Sequence, residues 1–124
     1  MPPKTDLLIL GATGYTGRLI TRYLSEHPQR SGFTFAVGAR SRAKLTSLLE
    51  NLGLLNDDTI GLVHVDVTRP AEVEEAVKST RVVINTVGPY WYWGTPVVAA
   101  CAKYGVHYVD ITGETWWIRK IIRE

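Results

Sequence analysis

The chain is poor in sulfur, has no long apolar run and carries no large excess of charge of either sign. A single cysteine, Cys101, among 124 residues excludes an intrachain disulfide and any metal cage built from thiolates. One lone thiol fits a reducing compartment, so the expected location is cytoplasmic. No apolar stretch approaches the roughly 18 residues that span a bilayer. Fourteen basic residues against 12 acidic ones leave a charge of +2, too little to imply a nucleic-acid partner. The opening "MPPKTD" is not followed by an apolar core with a small-residue cleavage site, so no signal peptide is expected. His27, His64 and His107 have no metal-ligand spacing. A hydrophobic content of 45% at this length is enough for one ordinary domain.

What is present is a regular alternation. Apolar runs at 6–10 ("DLLIL"), 33–38 ("FTFAVG"), 60–66 ("IGLVHVD"), 81–87 ("RVVINTV") and 106–112 ("VHYVDIT") read as strands buried on both faces. Helical spacing of Leu19, Ile20, Tyr23 and Leu24 predicts a helix from Tyr15 to about Glu26. Ser41 reads as the N-cap of a second helix that stops at Gly53. Pro70 opens a third helix, with acidic residues near its positive end. "GPYWYWGT" reads as a loop, with a fourth helix from Pro96 to Tyr104. "ETWWIRKIIRE" begins an amphipathic fifth helix. Right-handed crossovers between such elements give a parallel sheet of about five strands covered on both faces, and no repeat or linker interrupts it.

The junction "LLILGATGYTGRLI" carries the clearest chemistry. Glycines at 11, 14 and 17 stand where a strand turns into a helix. There the first glycine permits a sharp turn, the second leaves room for a phosphate, and the third lets helix and strand approach closely. Amides at the helix start and the helix dipole then favour an anion. A tight turn that binds nothing is the alternative. The candidate pyrophosphate segment is therefore Gly11, Ala12, Thr13, Gly14, Tyr15, Thr16 and Gly17. A P-loop is excluded, because no glycine precedes Lys-Ser or Lys-Thr.

The second strand ends in "VGARSRAK", without the acidic residue that holds an NAD ribose. Arg40, Ser41, Arg42 and Lys44 there suit a 2′-phosphate, so NADP(H) is expected over NAD(H), the alternative being an ordinary solvated helix start. Asp66 and Val67 close the third strand, where a carboxylate either accepts from an adenine amine or only shapes a turn. Thr86, Val87, Gly88, Pro89 and Tyr90 follow the fourth strand, where backbone should pass the nicotinamide ribose. The aromatics of "YWYWG" either line a substrate pocket, stack near the nicotinamide or form a contact surface for a second domain. Tyr90 is a candidate proton donor. Cys101, flanked by alanines, reads as a buried small hydrophobe. No Tyr is followed four residues later by Lys, so a Tyr–Lys proton-donor pair at that helical spacing is absent from the sequence.

Taken together, "GATGYTGR", "GARSRAKL" and "VINTVGPYWYWGTPVVAACAKYGVHYVDITGE" resemble the N-terminal domain of the saccharopine dehydrogenase-like oxidoreductases, including the trans-acting enoyl reductase branch. The resemblance covers nearly the whole chain. It implies a Rossmann-type, doubly wound NAD(P)-binding domain over residues 1–124, with Gly11, Gly14 and Gly17 at the pyrophosphate and Arg40 near the adenosine ribose. It also implies that Gly88, Pro89 and Tyr90 approach the nicotinamide, and that Tyr108, Asp110, Gly113 and Glu114 border the active cleft. Asp110 joins Tyr90 as a candidate catalytic residue. Family members continue into a second domain that carries most of the substrate site, so that domain is expected to lie outside this chain.

Three readings follow. The first is the cofactor domain of an oxidoreductase acting on a carbonyl, imine or enoyl substrate, small or acyl-linked. The second is a nucleotide-binding module without turnover. In the third, Trp116, Trp117, Ile118, Ile121 and Ile122 form a stripe without a partner that mediates peripheral membrane contact or self-association.

Overall fold

A computed structural model describes residues 4–124. Residues 1–3, which begin the stretch read above as lacking a leader, lie outside the described residues. Five strands, β1 (Thr5–Leu10), β2 (Phe35–Ala39), β3 (Ile60–His64), β4 (Thr80–Asn85) and β5 (His107–Asp110), alternate with five helices. The helices are α1 (Tyr15–Ser25), α2 (Arg42–Asn51), α3 (Pro70–Lys78), α4 (Tyr90–Tyr104) and α5 (Thr115–Arg123). All strand pairs are parallel, in the order β3-β2-β1-β4-β5. The chain leaves β1 first to one side and then to the other, so a crevice opens beyond the C-terminal end of β1, where the winding reverses.

Strand alternation divides the core into two layers. Leu8, Leu10, Ala36 and Val83 face α3 and α4, packing with Val73, Val77, Val97 and Cys101. Ile9, Phe35, Val37 and Ala39 face the other way and pack with Leu45, Leu48 and Leu49 of α2. Side chains of successive strand residues point to opposite faces, which is why both sets are apolar in a sheet covered on both sides.

Local signals set several helix ends. Ser41 Oγ accepts from the Lys44 amide at 3.2 Å, capping α2, and Gly53 follows its end at φ +72°. Pro70 opens α3 as its first residue. Two expectations need correction. The segment after β4 is not a loop up to Pro96: α4 begins at Tyr90, and Pro96 lies inside the helix. Proline removes one backbone bond there, but the helix start is fixed from elsewhere in the chain. The carboxylate of Glu114 accepts from the amides of Tyr90 at 2.7 Å and Trp91 at 2.9 Å.

The second correction concerns α5. Trp117 is buried to 2% exposure and is not part of an unpartnered stripe. Its ring lies over Gly94 of α4, where a Cβ would sit 2.6 Å from Trp117 Cζ2. Its Nε1 donates to Thr95 Oγ1 at 3.1 Å. Ile118 and Ile121 are half-buried, so only Trp116 and Ile122 of the expected stripe are exposed. Among the described residues, no helix is long and apolar enough to cross a membrane.

Candidate nucleotide site

The three glycines of the β1–α1 turn do different jobs. Gly11 has φ +84°, and a Cβ there would meet Thr86 Oγ1 at 2.7 Å and Val87 Cγ2 at 2.9 Å. A Cβ at Gly17 would lie 2.1 Å from the Gly11 carbonyl oxygen and 2.7 Å from Ala12 Cα. Both are therefore demanded by the packing of the protein itself. Gly14 differs. It has an ordinary φ of −77°, and a Cβ would meet only the Gly11 oxygen, at 3.4 Å. Neither backbone conformation nor crowding accounts for glycine at 14; it leaves open space above the helix start.

That helix start is not capped by a side chain. The first bond of α1 runs from the Arg18 amide to the Gly14 oxygen at 2.9 Å, so the amides of Tyr15, Thr16 and Gly17 precede it. Tyr15 is 75% exposed and Gly17 buried. Ala12 is fully buried and anchors the turn, with its amide and that of Gly11 both donating to the Gly38 oxygen. The Thr86 hydroxyl donates to the Leu10 oxygen at 2.7 Å, tying the end of β4 to the same turn.

Beside the turn lies a cavity of about 270 Å³ lined by Leu10, Gly11, Thr13, Ala39, Arg40, Val65, Asp66, Val67, Thr68, Val87 and Trp93. It thus gathers the ends of β1, β2 and β3, which sequence spacing alone could only suggest. Its polar wall is organised by Asp66. Oδ1 of that carboxylate accepts from the Thr68 hydroxyl at 2.6 Å and the Thr68 amide at 2.9 Å. These bonds, with the nearby charges of Arg40 and Arg69, hold the Asp66 carboxyl below the usual carboxylate range. Asp66 therefore shapes a turn and also lines the cavity. Ser41, by contrast, has its oxygen committed to the α2 cap, and Arg42 is exposed on that helix.

At the other side of β1, Gly88 and Pro89 are exposed and joined by a cis peptide bond. Tyr90 points inward, with its hydroxyl donating to the Asn85 oxygen at 2.8 Å, and burial raises its pKa above the ordinary phenol value. Asp110 accepts from the Tyr108 hydroxyl at 2.7 Å and from the Thr112 amide at 3.1 Å. Burial, then the bond to Asp110, pushes the Tyr108 phenol far up. Asn85 Nδ2 donates to Tyr108 Oη at 3.2 Å, completing a chain of polar groups across the ends of β4 and β5. Gly113 stands between Thr112 and Glu114, and the Glu114 amide donates to Thr112 Oγ1 at 3.1 Å.

Sequence reasoning missed two participants. In the sequence Trp93 is one of four adjacent aromatics with nothing to set it apart, and helix phase places it in the cavity because α4 starts at Tyr90. Thr68 carried a readable signal, since Asp-x-Thr after a strand is an Asx-type turn. Among the described residues no group of His, Cys, Asp and Glu is arranged to hold a metal.

A five-stranded parallel sheet wound to both sides of β1, with a glycine turn at the reversal point, defines a Rossmann-type dinucleotide-binding domain. The profile of the saccharopine dehydrogenase NADP binding domain matches residues 7–122, and the chain belongs to that family. It is 38% identical over 117 residues to a trans-acting enoyl reductase of Mycobacterium ulcerans (strain Agy99), covering 94% of this chain and 27% of the relative. It is also 38% identical over 117 residues to a saccharopine dehydrogenase-like oxidoreductase of Homo sapiens, covering 87% of this chain and 27% of the relative. The chain thus spans about a quarter of these relatives' length. Its fold is similar to apo saccharopine dehydrogenase (L-Glu forming) from Saccharomyces cerevisiae, with TM-score 0.68 and 18% identity over 88% of this chain and 22% of that one.

Proposed function

We propose that this chain holds NADP(H), in preference to NAD(H), along the C-terminal edge of its sheet. The observation that carries the assignment is Gly14, whose missing side chain serves no need of the fold. Room for an anion there supplies the reason, with the amides of the α1 start as donors. Gly11, Ala12, Thr13, Gly14, Tyr15, Thr16 and Gly17 form the pyrophosphate segment. Arg40, on the rim of the cavity, receives the 2′-phosphate, with Ser41 and Arg42 beside it adding polarity and charge. Asp66 and Val67 border the adenine, and Thr86, Val87, Gly88, Pro89 and Tyr90 frame the nicotinamide side.

Once bound, the nicotinamide supplies the hydride exchanged with a carbonyl, imine or enoyl substrate in the parent oxidoreductase. The chain's own part is to bind and orient. Tyr90 and Asp110 have polar atoms committed to internal bonds, which favours a framing role for both over proton transfer. Titration of the purified chain with NADPH and NADH, followed by nicotinamide fluorescence, tests the reading. Saturable binding with NADPH clearly tighter is expected, and no binding of either nucleotide overturns it.

A second proposal concerns α5. Trp116, Arg119, Lys120 and Arg123 are all exposed on this amphipathic helix, a combination that suits peripheral contact with an anionic lipid surface. Flotation with phosphatidylserine vesicles, lost on replacing the three basic residues, is the expected result; absence of flotation removes the proposal.

A further inference from the structure

The four aromatics that open α4 are sent in four directions. Tyr90 turns into the core against Trp117, with ring centroids 5.7 Å apart. Trp91 lies on Trp116 of α5, 3.6 Å between centroids, with the Lys120 ammonium 5.5 Å from its ring. Tyr92 is 67% exposed. Trp93 alone of the four lines the cavity at the β2 and β3 ends, together with Arg40, Asp66 and Val67.

We propose that the Trp93 indole forms one face of the purine subsite, with the heteroaromatic base of the dinucleotide lying flat against it. This deepens the NADP(H) reading and rests on it. The floor of the cavity is apolar, since Leu10, Ala39 and Val65 are all buried there. Such a floor takes a flat ring and rejects a phosphate, whose desolvation it would not repay. An indole face adds stacking that tolerates any base, and the Asp66 carboxylate on the rim selects one that carries an amine. Trp93 keeps 37% of its surface exposed, an area a bound ring would cover.

Position sets this residue beside the ends of β2 and β3, with Ala39, Arg40, Val65 and Asp66, while Val87 brings the end of β4 to the same cavity. Tyr108 and Asp110, at the end of β5, line a different groove with α5, and neither borders the Trp93 cavity. Trp93 thus follows β4 in sequence yet meets the adenosine half, since it shares its cavity with Arg40 and Asp66.

The test uses NADPH and the fragment adenosine 2′,5′-bisphosphate, measured by calorimetry on the whole chain. Trp93→Ala should weaken both ligands by the same factor, about tenfold or more, whereas Trp93→Phe keeps a ring and should stay within about threefold. Trp91→Ala, on the opposite side of α4, should leave the fragment unchanged. Far-UV circular dichroism and the melting temperature establish that each variant is folded, and the Phe variant serves if the Ala variant is not. Unaltered fragment affinity in a folded Trp93→Ala variant, with wild-type binding intact, overturns this inference alone. If the wild-type chain binds neither ligand, the NADP(H) reading falls and takes this inference with it.

Discussion

The carboxylate of Glu114 holds the first amide of α4, with Oε2 2.7 Å from the nitrogen of Tyr90 across 24 residues of sequence. Its other oxygen takes the next amide, that of Trp91. A residue after β5 thereby fixes where the helix after β4 begins, and with it the path of Gly88 and Pro89. Charge at a helix start adds to the bonds themselves. Glu114→Ala should cost about 1–2 kcal/mol by urea denaturation, and Glu114→Gln should recover part of that loss. An unchanged unfolding midpoint in Glu114→Ala would show that the cap is dispensable.

Gly17 and Gly14 should give opposite results when substituted. A Cβ at Gly17 would penetrate the Gly11 carbonyl and the Ala12 backbone, so Gly17→Ala should destabilise by about 2 kcal/mol or more. The Cβ of Gly14→Val would meet only the Gly11 oxygen, at 3.4 Å, and the variant should lose no more than about 1 kcal/mol of stability. Its NADPH affinity, however, should fall on the order of 100-fold, because the new side chain enters the phosphate path. Parallel thermal melts and NADPH titrations separate the two effects. Retained binding in a folded Gly14→Val chain would remove the phosphate from that position.

Arg40 decides between nucleotides if it meets the 2′-phosphate. Arg40 lines the cavity and its charge acts on Asp66, so reversing that charge adds a second carboxylate to a rim that already holds one. Arg40→Glu should weaken NADPH by about 100-fold and leave NADH within a few-fold. The ratio of the two dissociation constants is the measurement, and a ratio that does not move would take Arg40 out of the specificity site.

The residues that announced themselves in sequence are those whose reasons are local. Gly11 and Gly17 stand at a strand–helix junction, Ser41 caps the three residues after it, and Pro70 takes a first-turn position that needs no amide. The start of α4 was hidden because its partner is Glu114, which no window around "YWYWG" contains, while Pro96 imitated a helix start. The burial of Trp117 was hidden for the same reason, since the space that receives its ring exists only because residue 94 lacks a side chain. Strand ends moved by one or two residues: β2 begins at Phe35 rather than Phe33, whose carbonyl oxygen accepts from the Arg30 guanidinium while its ring faces the same cation. Within the site, spacing singled out Arg40, Asp66 and Val67, and parallel strand order brings them to one cavity. Trp93 joins them through helix phase, which could be read only after the helix start was known.

Cys101 gives the chain a defined alkaline response. The side chain, on the buried face of α4, is 2% exposed, and burial pushes its thiol up to about 11. Above pH 9 the unfolded chain ionises this group while the folded chain keeps its proton, so the unfolded state binds fewer protons and stability falls as pH rises. With an unfolded value near 9, the loss from this residue reaches about 1.4 kcal/mol by pH 10. The raised phenols of Tyr90 and Tyr108 add losses of the same sign at higher pH. Urea midpoints measured from pH 8 to 10 should therefore decline in the wild-type chain and decline less in Cys101→Ala, whose own constant deficit from the smaller side chain is subtracted at pH 8. Iodoacetamide at pH 8.5 should label the thiol slowly in buffer and quickly in urea. Rapid labelling of the folded chain, or identical pH slopes for the two proteins, would mean that Cys101 is not held in the neutral, enclosed state its packing dictates.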